Sequence, residues 1–362
     1  MRGALPLAPG STIGILGGGQ LGRMLAQAAA RLGFDAVVLE RDADSPAGRV
    51  AVRCLVGAYD DPAALKQLAD LADVVTYEFE NVPAETVRLL VAQGAEVAPG
   101  PRALAVAQDR VEEKTFLNAN GAPTVAFAAA ATAQQATEAV SHIGLPCLMK
   151  TRREGYDGKG QRWVEQVADA AGAFTALGGV PVIVEAAADF VRELSIIAAR
   201  GRDGATAIYP LAENHHEHGI LRRSLAPARV TPAMADQAER IAARILSGLD
   251  YVGVIGIELF EMADGRLLVN EFAPRVHNSG HWTQDGCEVD QFEQHIRAVA
   301  GWPLGPTKAI AQVEMLNLLG AEVAGWPRLA AEPDTRIHLY GKRETKPGRK
   351  MGHVNKVRPL AP

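Results

Sequence analysis

The chain has 362 residues, of which 48% are hydrophobic and 22% charged, and its formal net charge is −5. A chain of this length accommodates two or three domains, and its acidic balance gives no reason to expect a nucleic-acid partner. It contains no apolar stretch long enough to span a bilayer, and residues 1–10 do not resemble a secretion signal, so we expect a cytoplasmic protein without membrane contact.

The N-terminal segment alternates strands and helices in the pattern of a parallel, doubly wound sheet. A strand over residues 13–16 leads into Gly17-Gly18-Gly19-Gln20-Leu21-Gly22 and a helix, and a second strand over residues 36–39 ends at Glu40. This G-x-G-x-x-G pattern is typical of dinucleotide sites and by itself favours an NAD enzyme. Its backbone N–H groups and helix N-terminus can bind any anion, however, so other phosphate ligands stay open.

A third strand, over residues 73–77, runs into Glu78 and Glu80. Open α/β sheets bind ligands beyond the carboxyl ends of their strands. The two carboxylates are therefore either ligand-binding residues or solvated loop residues. The sequence Pro99-Gly100-Pro101 ends this pattern and places a domain boundary near residue 100.

The middle of the chain carries a second phosphate-binding pattern. A strand over residues 145–151 bears Lys150, and a basic, glycine-rich loop follows as far as Gln161. Backbone donors and cations in such a loop can cover a triphosphate, although the pattern is not that of a P-loop, and a plain basic turn is the alternative. A further strand, over residues 180–185, leads towards Glu193 and offers groups for an adenine and a ribose.

The run His215-His216-Glu217-His218 has the composition of a transition-metal site. The glycine that follows it indicates a turn between two strands, where neighbouring side chains point to opposite faces. We therefore favour His216 near a nucleotide, with the other side chains in solvent, over a metal site.

Two apolar runs, residues 254–263 and 266–272, are separated by Asp264-Gly265, which predicts a hairpin with a two-residue type I′ turn. That turn makes Glu258 and Glu271 direct cross-strand neighbours on one face. The rest of the face would be apolar, formed by Phe260, Met262, Leu267 and Val269. Buried like charges are costly, so either Mg²⁺ lies between the carboxylates or the hairpin faces solvent.

Charged residues downstream add candidate ligands. Arg275 and His277 follow Glu271 closely, so each is either a substrate-binding group or a side chain that holds the loop. An Arg fork suits a planar oxyanion, and a histidine can move a proton near neutral pH. The basic run near the C-terminus, which includes Lys342 and Arg349, is a solvated face, a nucleic-acid patch or a clamp for a substrate phosphate, and we favour the clamp.

Taken in order, these segments resemble the ATP-grasp enzymes, and more closely the 5-(carboxyamino)imidazole ribonucleotide synthetase family of purine biosynthesis. The resemblance covers nearly the whole chain. The matching segments are residues 17–22, 77–83, 108–110, 155–161, 270–282 and 338–342. The stretch 270–282 is the most specific, because other ATP-grasp enzymes share the metal-binding Glu but not the residues after it. Many of those relatives also bind metal through an Asn two positions after that Glu, where this chain has Ala273.

The resemblance implies an α/β and α+β fold in three parts. These are a Rossmann-like parallel-sheet domain over residues 1–100, a two-lobed ATP-grasp core over 101–304 with its lid lobe at about 120–185, and a small β-rich C-terminal domain over 305–362. It also implies a homodimer, ATP, and Mg²⁺ with Mn²⁺ as an alternative.

The implied activity is an ATP-dependent ligation. Bicarbonate is phosphorylated to carboxyphosphate, and 5-aminoimidazole ribonucleotide is carboxylated on its exocyclic amine to give 5-(carboxyamino)imidazole ribonucleotide, ADP and phosphate. Two alternatives stay open at this point. One is a sister ligase with another acyl donor, such as a formate-dependent transformylase, and the other is an NAD-dependent oxidoreductase or a non-catalytic nucleotide-binding regulator.

The same resemblance assigns roles to individual residues. Glu258 and Glu271 would bind the metal, and Arg275, His277 and Lys342 would be catalytic. The nucleotide would be bound by Arg110, Lys150, Gly155, Tyr156, Asp157, Gly158, Lys159, Gly160, Gln161, Glu185, Ala186, Ala187, Ala188, Glu193, His216, Asn270 and Glu271. The ribonucleotide would be bound by Gly19, Gln20, Leu21, Glu78, Tyr156, Asp157, Arg275, Lys342 and Arg349.

Overall fold

The structure, a computed structural model, describes residues 5–155 and 160–360. Its N-terminal part is a parallel sheet of four strands in the order β3-β2-β1-β4. The strands are β1 (Thr12–Leu16), β2 (Asp35–Glu40), β3 (Arg53–Val56) and β4 (Val74–Tyr77). The helices are α1 (Gln20–Arg31), α2 (Pro62–Leu71) and α3 (Ala84–Ala92). The strands predicted at 13–16, 36–39 and 73–77 are confirmed to within one residue.

Two helices, α4 (Pro101–Ala107) and α5 (Arg110–Ala119), lead into a second sheet, which we call the lid sheet. Its four antiparallel strands have the order β5-β8-β6-β7. They are β5 (Phe127–Ala130), β6 (Cys147–Thr151), β7 (Gln161–Val164) and β8 (Val182–Ala186). Helices α6 (Ala133–Ile143) and α7 (Ala170–Ala176) pack on it around a small apolar core.

The third and largest sheet has nine strands, in the order β14-β13-β9-β11-β12-β15-β17-β16 with β10 beside β9. Its strands are β9 (Phe190–Arg200), β10 (Thr206–Ile208), β11 (Ala212–Glu217), β12 (Ile220–Ala226), β13 (Gly253–Met262), β14 (Leu267–Ala273), β15 (Gln312–Leu319), β16 (Thr335–Leu339) and β17 (Lys350–Arg358). The helices around it are α8 (Pro232–Gly248), α9 (Thr283–Gly286), α10 (Gln291–Val299) and α11 (Trp326–Ala330).

The predicted fold class is confirmed, with one structural refinement. The C-terminal strands do not form a separate sheet, because β15 pairs with β12 and so continues the core sheet. The domain limits at residues 100 and 304 stay a prediction. Within residues 5–155 and 160–360, no helix combines the length and hydrophobicity needed to cross a membrane.

The hairpin of β13 and β14 has the predicted carboxylate pair but not the predicted turn. Met262 N donates to Arg266 O and Gly265 N to Met262 O, each at 2.9 Å, so the loop has three residues and ends in Gly265 at φ 80°. This is a type I turn with a bulge, and it shifts the register by one residue from the type I′ prediction. A second bulge, at Asn270, shifts it back, so Glu258 does lie opposite Glu271.

The register between the two bulges shows that part of the predicted apolar face around Glu258 and Glu271 was wrong. Leu259 lies opposite Val269, and Glu261 opposite Leu267. Leu267 and Val269 therefore point into the apolar core beneath α8, away from Glu258. The carboxylates occupy the other face of the sheet, which carries fewer apolar side chains than expected.

Candidate active site

The paired carboxylates of β13 and β14 form the floor of a cleft. Their side chains are only partly exposed, 22% for Glu258 and 41% for Glu271. Burial and the charge of Glu271 raise the pKa of Glu258 to about 7. Although burial opposes it, Arg110 lowers the pKa of Glu271 to about 2. The surroundings therefore favour the ionised form of Glu271 and raise the proton affinity of Glu258.

Helix α5 places three charged side chains against consecutive residues of β14. Arg110 Nη1 donates to Glu271 Oε2 at 2.8 Å, and Lys114 Nζ to Asn270 O at 3.1 Å. Phe272 N donates to Glu113 Oε1 at 2.7 Å. Burial and the charge of Glu271 raise the pKa of Glu113 to about 8. The helix therefore fixes the strand that carries Glu271.

The lid sheet brings a second cation to the cleft. Lys150 Nζ on β6 lies 2.7 Å from Glu185 Oε2 on β8, and Lys114 Nζ lies 3.4 Å from Glu185 Oε1. The Glu185 side chain is buried between these two ammonium groups. In the predicted adenine-binding segment, Ala187 follows the strand and is exposed.

The glycine-rich loop begins and ends beside these cations. Arg110 Nη2 donates to Gly155 O at 3.0 Å, and Thr151 N donates to Gly160 O at 2.8 Å. Gln161 begins β7 opposite Lys150. The remaining predicted loop ligands, Tyr156, Asp157, Gly158 and Lys159, lie outside the described residues.

Arg275 and His277 lie at the side of the cleft near Glu258. Arg275 Nε pairs with Glu80 Oε2, and this carboxylate comes from the loop after β4. His277 Nε2 lies 3.6 Å from Glu258 Oε1, and Ser279 Oγ lies 2.9 Å from Nδ1. Burial and the charges of Arg275 and Lys350 lower the pKa of His277 to about 3. The surroundings of the ring therefore favour its neutral form, and the predicted proton-transfer role of His277 stays a prediction.

The glycine-rich turn before α1 binds a carboxylate of the chain itself. Gly19 N and Gly22 N donate to the two oxygens of Glu78, and Gly18 N donates to Glu40 Oε2 at 2.7 Å. A Cβ atom on Gly19 would lie 2.6 Å from Glu78 Oε1. The predicted substrate-binding segment therefore surrounds Glu78, and it includes Gln20 and Leu21 at the start of α1. The Glu78 carboxylate occupies the position that a dinucleotide phosphate takes in an NAD enzyme.

Glu193 and His216 come together on the same sheet face as Glu258. His216 Nδ1 contacts Glu193 Oε2 across β9 and β11. Burial lowers the pKa of His216, but the hydrogen bond with Glu193 and the charge of Glu258 outweigh it and raise the pKa overall. His215 is exposed on the other side, as expected of a strand. Among the described residues no cluster of three or more potential ligands is arranged to bind a metal.

Part of the C-terminal basic run approaches the cleft. Lys342 Nζ donates to Lys350 O at 2.7 Å, and the charge of Lys350 contributes to lowering the pKa of His277. Arg349 does not share these contacts, since its Nη1 donates to Glu344 O at 3.0 Å on the surface. The structure therefore joins Lys342 to the cleft region more directly than Arg349.

Several residues of the site were not found from the sequence. The sequence could have indicated Glu113 and Lys114, because together with Arg110 they recur at helical spacing and so share one face of α5. No sequence pattern indicates Arg23 and Arg49, since they meet beside Gly341 only in the folded chain. Burial and Arg49 lower the pKa of Arg23, whose Nη1 donates to Pro46 O at 3.0 Å.

The chemistry of the carboxylate pair suits a hard divalent cation. Two partly buried carboxylates facing each other repel, and the charge of Glu271 adds to burial in raising the pKa of Glu258. A cation between them removes that repulsion, and Mg²⁺ accepts a few carboxylate ligands when phosphate oxygens and water supply the rest. Glu258 and Glu271 could therefore hold it.

Three protein families match consecutive parts of the chain. The ribonucleotide synthetase pre-ATP-grasp domain matches residues 11–108, the ATP-grasp domain residues 115–292, and the phosphoribosylaminoimidazole carboxylase C-terminal domain residues 314–360.

Complete proteins and solved structures are similar over nearly the full length. The N5-carboxyaminoimidazole ribonucleotide synthase of Brucella melitensis is 50% identical over 98% of both chains. The N5-carboxyaminoimidazole synthetase of Staphylococcus aureus, complexed with ADP, has a TM-score of 0.93 at 35% identity and covers 99% of this chain and 95% of its own. The N5-carboxyaminoimidazole synthase of Aspergillus clavatus, complexed with ADP and 5-aminoimidazole ribonucleotide, has a TM-score of 0.91 at 32% identity. It covers 97% of this chain and 95% of its own.

Proposed function

Because the chain belongs to the N5-carboxyaminoimidazole ribonucleotide synthase family, we propose that the cleft above Glu258 and Glu271 is its active site. The protein is an ATP-dependent ligase that forms a C–N bond, carboxylating 5-aminoimidazole ribonucleotide in purine biosynthesis. The observation that carries the assignment of the site is the paired carboxylate floor, which faces the cations Arg110 and Lys150 and lies beside Arg275.

The nucleotide would lie between the lid sheet and the core sheet. Phosphoryl transfer needs positioning and charge neutralisation more than covalent help. Arg110 and Lys150 would supply cations for the phosphates, close to the two ends of the glycine-rich loop at Gly155 and Gly160. The backbone of residues 185–188 would contact adenine, and Glu193 would accept hydrogen bonds from the ribose. His216 and Asn270 line the same face of the sheet, where each contacts a cleft carboxylate.

The metal ligands in this proposal are Glu258 and Glu271. Bound Mg²⁺ supplies positive charge that neutralises the phosphate oxygens during transfer. The protein's own part is to keep Glu271 ionised, which Arg110 does by lowering the pKa of that carboxyl group. Arg110 is already directed into the cleft by this pair, so it can contact a phosphate without moving far.

Bicarbonate and the amine would meet beside Arg275 and His277. A guanidinium matches two oxygens of bicarbonate or carboxyphosphate, and Glu80 holds it in place from the far side. His277 is neutral, so it can accept or donate a hydrogen bond without adding charge. These groups would orient the carboxyphosphate towards the exocyclic amine.

The 5′-phosphate of the ribonucleotide would bind at the basic corner near Gly341. Lys342 and Arg349 were assigned there from the resemblance. Arg23 and Arg49 support the same position, because both guanidinium groups lie beside Gly341 and can bind an anion there. Glu78 would bind the base or ribose from the neighbouring turn.

The family relationship favours bicarbonate as the acyl source over formate, and a ligase over an NAD-dependent oxidoreductase. The occupation of the glycine-rich turn by Glu78 also disfavours a dinucleotide there. A homodimer and a cytoplasmic location belong to the proposal as well, and they rest on the family relationship alone.

The test of the site is ADP release by the wild type and by the Glu271→Gln variant. The wild type should need 5-aminoimidazole ribonucleotide, bicarbonate and Mg²⁺ together. Replacing the ionised carboxylate by a neutral amide removes a metal ligand and the partner of Arg110, so we expect kcat to fall about 100-fold or more.

The matched control is Glu314→Gln, which removes a strand carboxylate that pairs with Arg223 at 3.3 Å outside the cleft. It should retain wild-type turnover. ATP turnover that the ribonucleotide does not stimulate would contradict the proposed function, and incorporation of labelled formate instead of labelled bicarbonate would assign the chain to the sister reaction.

A further inference from the structure

We propose that Gln291 is a positioning residue, which holds His277 in its place in the cleft; this inference rests on the proposed function. Gln291 is fully buried at the start of α10. Its side chain binds both backbone groups of one residue: His277 N donates to Gln291 Oε1 at 2.8 Å, and Gln291 Nε2 donates to His277 O at 2.7 Å. One side-chain amide thus forms hydrogen bonds with both the backbone N–H and the backbone carbonyl of His277.

The orientation of this amide is determined by its partners. A backbone N–H can only donate and a carbonyl can only accept, so the oxygen and nitrogen of Gln291 cannot exchange places. The remaining Nε2 hydrogen points to His281 Nδ1 at 3.0 Å. Thr283 fixes the backbone of the same residue, since its Oγ1 accepts from Gln291 N at 3.1 Å. Gln291 therefore has a single arrangement available.

The loop around His277 has no spare room either. A Cβ atom on Gly280 would lie 2.6 Å from Gln291 Oε1, and one on Gly256 would lie 2.4 Å from His277 Cβ. The histidine is thus enclosed between β13 on one side and Gln291 on the other. Its Nε2 points at Glu258, one of the two proposed metal ligands.

The same hydrogen-bonded network reaches the C-terminal strands. Asn355 Nδ2 on β17 donates to His281 O at 3.1 Å and to Asp285 Oδ2 at 2.7 Å. Asp285 in turn pairs with His338 Nε2 on β16 at 2.7 Å. Gln291 therefore lies where the loop of the cleft meets the strands that lead to Lys342.

A loss of this contact should affect turnover more than ATP binding. His277 and Arg275 share one short loop, so releasing the His277 backbone displaces groups next to the reacting atoms. A displacement of about 1 Å can cost up to about 100-fold in rate. In the proposed site, ATP lies between the lid sheet and the core sheet, against Arg110, Lys150 and Glu193. The hydrogen bonds of Gln291 are instead with His277, His281 and Thr283.

The chain contains a matched control one turn further along α10. Gln294 is also fully buried, and it binds both backbone groups of Gly305. Gln294 Nε2 donates to Gly305 O, and Gly305 N donates to Gln294 Oε1, each at 2.8 Å. The two glutamines make the same kind of contact, but Gly305 lies outside the cleft. Gln291→Met and Gln294→Met should therefore cost similar stability and differ in activity.

The experiment measures steady-state ADP release and thermal unfolding of the full chain for Gln291→Met, Gln291→Glu and Gln294→Met. We expect kcat to fall about 10- to 100-fold in Gln291→Met, with KM for ATP within about twofold of wild type. Gln291→Glu retains the acceptor for His277 N, but its second oxygen replaces the donor to His277 O, so it should lose kcat as well. Gln294→Met should retain wild-type kcat.

Equal kcat losses in Gln291→Met and Gln294→Met, or wild-type kcat in a folded Gln291→Met, would overturn the inference while leaving the proposed function intact. Failure of both Gln291 variants to fold, with Gln294→Met folded, would assign Gln291 a structural role and overturn it as well. A wild type whose ADP release does not depend on the ribonucleotide would overturn both proposals.

Discussion

Carboxylates hold each of the cleft cations in a defined direction. Arg110 is paired with Glu271, Lys150 with Glu185, and Arg275 with Glu80. A buried charge without a partner is strongly destabilising. These pairs therefore direct the cations at one space, and each pair is a contact that an incoming phosphate has to replace.

Buried neutral histidines make stability depend on pH at the residue scale. Val254 N donates to His295 Nδ1, so the ring proton is on Nε2, 2.7 Å from Thr76 Oγ1. Burial lowers the pKa of His295 from 6.5 to about 3. Below pH 6.5 the unfolded chain takes up a proton that the folded protein does not, so stability falls with decreasing pH from 6.5 towards 3.

The measurement is thermal unfolding of the wild type and His295→Gln between pH 7 and pH 5. The wild type should lose stability more steeply as the pH falls, and the two slopes should differ by about 1.4 kcal/mol per pH unit in the lower part of this range. The exposed His142 on α6 provides the control, and His142→Gln should keep the wild-type slope. Identical slopes for His295→Gln and the wild type would contradict the prediction.

At the scale of elements, α5 organises the site because its first turn joins the lid to the core. Asp109 caps the helix by accepting from Val111 N at 3.1 Å. The same carboxylate accepts from Arg152 Nε at 3.0 Å and Nη2 at 2.9 Å, and it pairs with Arg153. A single side chain therefore sets the start of the helix and the strand end that leads into the glycine-rich loop.

We expect Asp109→Ala to lower stability by about 1 kcal/mol through the lost cap and to raise KM for ATP several-fold, because two arginines near the loop lose their partner. The matched variant is Thr231→Ala, which removes the cap of α8, where Thr231 accepts from Met234 N away from the cleft. It should show the stability loss without the change in KM. Equal KM values for the two variants would show that Asp109 only caps the helix.

At the scale of the whole molecule, the cleft exists because three sheets meet around α5 and the loop after β14. Lys114 is the buried link between them, since its Nζ contacts Glu185 of the lid sheet and Asn270 O of the core sheet. Only 2% of its side chain is exposed. Lys114 thus adds a buried charged contact between the lid and the core at the back of the proposed nucleotide site.

Replacing Lys114 by Met should lower the free energy of unfolding by about 3 kcal/mol, because it leaves Glu185 buried with Lys150 as its remaining cation. The thermal midpoint should fall by several degrees. Lys66→Met removes an exposed pair with Asp70 on α2 and should change the midpoint by less than about a degree. A similar midpoint for both variants would contradict the role of Lys114.

The predicted carboxylate pair shows how far local patterns reach. The sequence indicated that Glu258 lies opposite Glu271, which is confirmed. The argument for it was incomplete, because a three-residue turn and a bulge at Asn270 offset each other. A bulge depends on contacts such as those of α5 with β14, which lie far apart in the chain and leave no local signal.

The sequence by itself determined several strands and turns, the family, the fold class and the chemical types of residue in the cleft. The strands and turns follow from periodicity and glycine-rich patterns, which are local, and the family and fold class follow from the resemblance that the motifs carry. Only the tertiary structure decided which carboxylate holds which cation, the occupation of the glycine-rich turn by Glu78, the extension of the core sheet by the C-terminal strands, and the contact of Gln291 with His277. Each of these joins residues distant in sequence, and packing and charge pairing across the whole chain select the partner.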